Sequence, residues 1–215
     1  MSTVVDIINL EAKQLSKEQK LNPQDEKHTR NAGKTRENIL AAAKIHFSHN
    51  SFENVGVREI ARDANVDAAL VNRYFGSKEK LFIEVVKVSF KRKEKEPLDY
   101  GDIDYIGESL AKEMIAKIQK GPSEKKSDLF NLVIRSATSP FAAPIVAETL
   151  QEEFVVPFAK IIGGKDAELR AGLIISCIMG FSTMYFALKS PTIKPSDDEK
   201  IVRLLGSAIQ SCINN

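Results

Sequence analysis

The stretch EIARDANVDAALVNRYFGSKEK, Glu59 to Lys80, decides how this chain folds. Two short helices that cross at a steep angle need a small residue where they touch, a left-handed residue in the turn between them, and apolar positions that hold the second helix down. Ala61 is the small contact, and Asn65, four residues on, is the non-glycine type that best tolerates the left-handed conformation. Val66 and Val71 fall on the buried face of the turn and second helix, and Asp67 stands where that helix needs a cap. The spacing predicts a helix-turn-helix, an element that lays its second helix in the major groove of DNA.

Working outward, periodicity predicts a first helix over about 35–49, with Ile39, Ala42, Ala43 and Phe47 on one face and Phe52 and Val55 closing a small core. A second helix over about 57–64 buries Ile60 and Ala61; Gly56 before it is a weaker cap than serine or threonine. The third runs over 67–75, and Ser77 caps a fourth over about 78–95, whose Leu81, Phe82, Val85 and Val86 face inward until Pro97 ends it. Beyond Pro97 no segment alternates as a strand does. Helices are predicted at about 103–120, 127–138, 142–162, 166–189 and 197–213, punctuated by Gly121-Pro122, Ser139-Pro140, Gly163-Gly164, Pro191 and Pro195. Ser196-Asp197-Asp198-Glu199 is a capping-box pattern for the last, and Pro157 should kink or split the third of these. Residues 1–33 read as a mobile polar arm with one amphipathic turn around Val4 to Leu15, because Asn22-Pro23 breaks any early helix. The expectation is an all-α chain.

The formal charge of +2 hides an asymmetry. Residues 1–26 carry a net −2, residues 27–95 a net +7 and residues 96–215 a net −3, so the basic segment coincides with the helix-turn-helix, as a phosphate-binding surface requires. Cys177 and Cys212 lie in apolar helical stretches without a second cysteine at metal-ligand spacing, which fits buried thiols in a reducing cytoplasm. The start, MSTVVDIINLEAKQ, has no basic opening or long apolar run and is not a signal peptide. Ala171 to Leu188 is about as long as a membrane span but contains Ser176, Ser182 and Thr183, and a helix in a bundle or subunit interface explains it better than a membrane does.

RENILAAAKIHF, VREIARDANV and DAALVNRYFGSKEKLF together resemble the DNA-binding domain of the TetR family of bacterial transcription regulators over roughly residues 34–86. RSATSP and GGKDAELRAGLIISCIMGF look like one C-terminal subtype of that family. The resemblance implies three units: an arm over 1–33, a helix-turn-helix domain over 34–86, and a helical ligand-binding and dimerisation domain over 87–215 joined through the linking helix. It implies a repressor, a homodimer bound to two operator half-sites of double-stranded DNA in the cytoplasm, released by a small and mostly apolar effector. No cofactor, catalytic residue, metal or membrane is implied. Two departures stand out. The family's usual tyrosine two residues before Tyr74 is Asn72, and its usual turn glycine is Asn65. An asparagine at position 72 can bond a phosphate or read an adenine edge.

The N-terminal residues of the recognition helix, Asp67, Ala68, Ala69, Asn72 and Arg73, are the candidates for reaching bases. Arg73 suits phosphate better than guanine; Tyr74 divides between backbone contact and core packing; Arg58 and Lys78 are assigned to the phosphate grip, Lys78 with the helix N-terminus behind it. Gly172, Ser176 and Gly180 recur every four residues and, with Leu173, Met184 and Leu205, form the candidate dimer interface. The candidate effector lining is Phe130, Ile134, Phe141, Phe154, Phe158, Cys177, Phe181 and Tyr185, with Arg135 as counter-charge for an acidic ligand. Two other readings stand beside this one. The first is a DNA-binding dimer controlled by a partner protein without a small ligand. The second is a helical metal enzyme built on His46, His49 and Glu53, against which the histidines flank the solvent side opposite Phe47.

Overall fold

A computed structural model describes residues 23–91, 102–119 and 124–214, and every regular element among them is helical. α1 is Pro23–His49, α2 Val57–Asp63, α3 Ala68–Phe75 and α4 Lys78–Phe90; α5 Ile106–Gln119, α6 Glu124–Ser136, α7 Ala142–Leu150, α8 Val156–Ile162, α9 Ala167–Ser182 and α10 Asp198–Asn214 follow. The first helix begins twelve residues before the expected position. Pro23 is the first described residue of that helix, so the break expected at Asn22-Pro23 lies at the edge of the described residues. The amphipathic turn expected near Val4 to Leu15 lies outside the described residues, as does the expected end of α4 near Lys95.

The helix expected over 142–162 is split ahead of Pro157 by a change of register. α7 widens into a π-helical stretch, Gln151–Val155, and resumes as α8 with Pro157 in its first turn. The wider turn removes the clash between the proline ring and the preceding carbonyls, and the orphaned acceptor is absorbed by the change of register. A second π-helical stretch, Thr183–Ala187, extends α9. Periodicity does not reveal either change of register.

Two cores result. The first takes Ile39, Ala43 and Phe47 from α1, Ile60 and Ala61 from α2, Val71 and Phe75 from α3, and Leu81, Phe82, Val85, Val86 and Phe90 from α4. It does not stop there: Leu132 of α6 and Ala142 and Val146 of α7 belong to the same cluster, so the chain division at residue 86 is not a division of the core. The second core joins Ile106 and Leu110 of α5, Phe158, Ala159 and Ile162 of α8, Ala171 and Ile174 of α9, and Ile209 and Ile213 of α10. Arg170, 8% exposed, ties its ends: Nε donates to the Lys165 carbonyl (3.0 Å), Nη1 to the Ile213 carbonyl (2.7 Å) and Nη2 to the Gly163 carbonyl. The cysteines are half-buried free thiols rather than buried ones.

Candidate nucleic-acid interface

The recognition element is built by local chemistry. The Gly56 N–H donates to the Glu59 carboxylate (3.3 Å) at the start of α2, which replaces the side-chain cap that glycine lacks. Asn65 adopts φ 54° in the turn, and the Val66 N–H donates to the Ala61 carbonyl at 2.9 Å, closing α2 against the next segment. Asp67 caps α3 by accepting from the Ala69 N–H at 2.7 Å. At the exit Gly76 has φ 83°, a conformation that a side chain resists, and Ser77 caps α4 by accepting from the Lys80 N–H. α3 is thereby fixed at both ends.

Its two faces are distinct. Val71 and Phe75 are buried, and Tyr74 is half-buried against the same core, which is the packing side of its two readings. Ala68 is corrected: it stands three and seven residues before Val71 and Phe75, shares their side of the helix, and packs on the core instead of facing outward. Asp67, Ala69, Asn72 and Arg73 remain exposed. The side chains of Asn72, Arg73 and the exposed Arg58 make no hydrogen bond or ion pair with the described residues. An exposed amide and guanidinium thus stand on the outward side of a capped, packed helix, with a second exposed guanidinium on α2.

Lys78 is engaged within the chain: its ammonium donates to the carbonyls of Phe52 (3.0 Å) and Val55 (3.2 Å) and lies 4.3 Å from the Phe52 ring centroid. Two of three donors are thus used to fasten the α1–α2 connection to the start of α4, which leaves one for a phosphate. His46 is not on a solvent face: Nε2 lies 2.8 Å from the Asp63 carboxylate, joining α1 to the end of α2. The Asp63 carboxyl is held below its ordinary value by Arg62 first and His46 second. Glu53, the third member of the metal reading, instead accepts from Ser139, which lowers its carboxyl in the same sense, and no metal-holding group of three such side chains exists among the described residues. Sequence reasoning missed Arg36, whose Nη2 meets the Glu84 carboxylate at 2.8 Å and whose guanidinium lies 4.9 Å from the Phe75 ring, bracing the end of α3. No local pattern marks that pairing across 48 residues.

The residues of the expected effector lining take part in several separate ring contacts. Phe141 stacks on Phe52 at 4.5 Å, Phe154 meets Phe90 at 6.0 Å, Phe130 meets Phe186 at 6.1 Å, and Phe181 stacks on Tyr185. Ile134 is half-buried and Arg135 is exposed, which removes it as a counter-charge within a pocket. Phe154 and Phe158 line a small cavity of about 70 Å³ together with Leu110, Glu153, Ile174, Ile175 and Ile178, and Cys177 packs on the second core beside it.

On α9 the exposed positions Leu169, Leu173, Ser176, Gly180 and Met184 recur at helical spacing along one stripe, while Arg170, Ala171 and Ile174 fill the opposite side. Gly172 is half-buried, and a Cβ at either Gly172 or Gly180 would meet nothing within 4 Å. The segment Ala167–Ala187 is long and apolar enough to cross a membrane by length and composition, yet only 17% of its most apolar window is buried. Leu205 is corrected: it packs on the second core, and its neighbour Leu204, 57% exposed, is the outward residue of α10.

The profile of bacterial regulatory proteins of the tetR family matches residues 39–85, and that of the tetracyclin repressor-like C-terminal domain matches residues 104–213. The chain is similar to the HTH-type transcriptional regulator BetI of Agrobacterium fabrum, 40% identical over 52 residues, 24% of this chain and 25% of that one. It is similar to the HTH-type transcriptional repressor NicS of Pseudomonas putida, 38% identical over 91 residues, 40% of this chain and 41% of that one. The matches therefore span less than half the length of these curated relatives. Among solved structures, a TetR-family regulator of Streptomyces coelicolor A3 superposes with a TM-score of 0.56 at 26% identity, over 85% of this chain and 96% of that one.

Proposed function

The chain belongs to the TetR family of bacterial regulatory proteins, and from that premise we propose that it is an operator-binding transcriptional repressor, acting in the cytoplasm as a homodimer. The carrying observation is the outward rim of α3, where Ala69, Asn72 and Arg73 stand exposed on a helix whose caps and core hold it rigid. Asp67 caps the helix and points its charge away from a phosphate role, Ala69 is small enough to admit a thymine methyl, and Arg73 and Arg58 supply phosphate neutralisation. One such helix covers too little DNA for specificity, so two half-sites are required. The uncovered stripe on α9, with Leu204 of α10, supports the subunit contact that sets their spacing.

An effector would enter the second core near Phe154 and Phe158, where the existing cavity of about 70 Å³ would have to widen several-fold to hold it. Its binding would favour one placement of the reading heads over another, and a near-complete switch needs roughly 5.5 kcal/mol of preference between the two.

The experiment follows Asn72. With its exposed amide making no hydrogen bond to the described residues, bidentate contact with an adenine edge is open to it, and Asn72→Ala is expected to cost on the order of 1–3 kcal/mol on the preferred site with non-specific affinity nearly untouched. Asn72→Tyr is expected to hold general affinity and lose preference at one base pair. Binding-site selection on wild type and both variants checks this. Three identical sequence preferences would show that Asn72 touches only backbone or solvent.

A further inference from the structure

The turn between α6 and α7 reaches across to the helix-turn-helix. Ser139, 2% exposed, carries two bonds at once: its Oγ accepts from the Ala142 N–H (3.0 Å), capping α7, and donates to the Glu53 carboxylate at 2.5 Å. Two residues on, Phe141 stacks on Phe52 with ring centroids 4.5 Å apart and also meets Phe82 at 6.2 Å. Phe52 and Glu53 form the short 3-10 turn that joins α1 to α2. The carbonyls of that turn and of Val55 hold the Lys78 ammonium, and Lys78 is the first residue after the Ser77 cap that ends the α3 exit.

A set of contacts therefore runs from the Phe154 and Phe158 cavity, along the helix that begins at α7, through Ser139 and Phe141, to the turn at Phe52 and Glu53, and through Lys78 to the start of α4, directly after the exit of α3. We infer that Ser139 and Glu53 are positioning residues: their bond, with the Phe141–Phe52 stack, latches the DNA-reading head to the C-terminal helices and fixes the angle of α3. This rests on the reading that α3 meets DNA, and it assigns head placement to a contact outside the linking helix α4. A hydroxyl-to-carboxylate bond is among the stronger kinds, and a two-ring stack beside it adds orientation. Losing the bond frees the head to sample more angles, so the fraction in the operator-fitting geometry falls and the apparent affinity falls with it.

The test measures placement without DNA. Spin labels at Ala69 and Glu148, both exposed, are introduced in a background lacking Cys177 and Cys212, and labelled protein is diluted with unlabelled protein so that a single protomer of each dimer reports. In Ser139→Ala and Glu53→Ala the distance distribution is expected to broaden, and in Glu53→Gln, whose amide oxygen still accepts from Ser139, it is expected to stay narrow. Unlabelled Glu53→Ala should bind the selected duplex about five- to ten-fold more weakly, with random duplex bound as before, the scale of one ordinary net hydrogen bond at an exposed carboxylate. Because Ser139 also caps α7, that variant carries a risk of unfolding; the exposed Glu53 keeps the test alive. A distribution as narrow in Glu53→Ala as in wild type overturns the latch, whatever the thermal stability does. Wild type without any sequence preference would instead sink the operator reading and leave the distances to decide the latch.

Discussion

Gly180→Arg is expected to give a folded monomer that has lost its operator affinity. In the single chain nothing lies within 4 Å of a Cβ at Gly180, and the position is exposed. Arginine also favours a helix interior over glycine by somewhat under about 1 kcal/mol, so within one subunit the change is neutral or stabilising. Its cost arises only where a second chain lies over the stripe of Leu173, Ser176, Gly180 and Met184, because a guanidinium there must be desolvated without a partner. Splitting the dimer removes the second half-site contact, worth on the order of 100-fold or more in avidity. Sedimentation, circular dichroism and duplex binding read the three parts of the claim. An unchanged dimer removes the α9 stripe from the interface, and an unfolded monomer contradicts the open space around Gly180.

Gly107→Ala is expected to destabilise the protein by about 2 kcal/mol or more, although alanine is the better helix former. A Cβ at Gly107 would fall on the Gly206 carbonyl oxygen and lie 2.8 Å from the Gln210 backbone nitrogen, and both are backbone atoms of α10 that no rotamer change can clear. The Gly107 N–H also donates to Gln210 Oε1 at 2.9 Å, while Gln210 Nε2 donates to the Ile103 carbonyl, so forcing the helices apart breaks the tie that starts α5. For a chain of this size the loss corresponds to a fall in Tm of roughly 4–8 °C. Calorimetry that showed a higher Tm would mean that α5 and α10 do not approach at these glycines.

What the sequence made legible was chemistry acting over a few residues. The left-handed Asn65, the Asp67 and Ser77 caps and the inward set of α1 to α4 all follow from spacing, because each is decided within one turn of helix. Contacts across the chain were not legible. Lys78 is positive and sits at a helix start, which suits a phosphate, but two carbonyls 23 and 26 residues away claim two of its three donors. Phe141 has the composition of a pocket residue and is instead the wedge against Phe52, and Ala68 looked open to bases until the register with Val71 and Phe75 placed it on the core side. Pro157 marked an interruption correctly, but the form it takes, a π-helical turn that absorbs the missing N–H, is not revealed by residue identity.

The central claim is that α3 of two subunits reads two half-sites of one duplex. Hydroxyl-radical footprinting of wild-type protein on the selected duplex tests it most directly. Two blocks of protection related by a two-fold axis, on one face of the duplex and about one helical turn apart or a multiple of it, are predicted. The same pattern should weaken throughout when Arg73 is replaced by alanine. A single block, or protection spread evenly without a preferred position, would contradict the account.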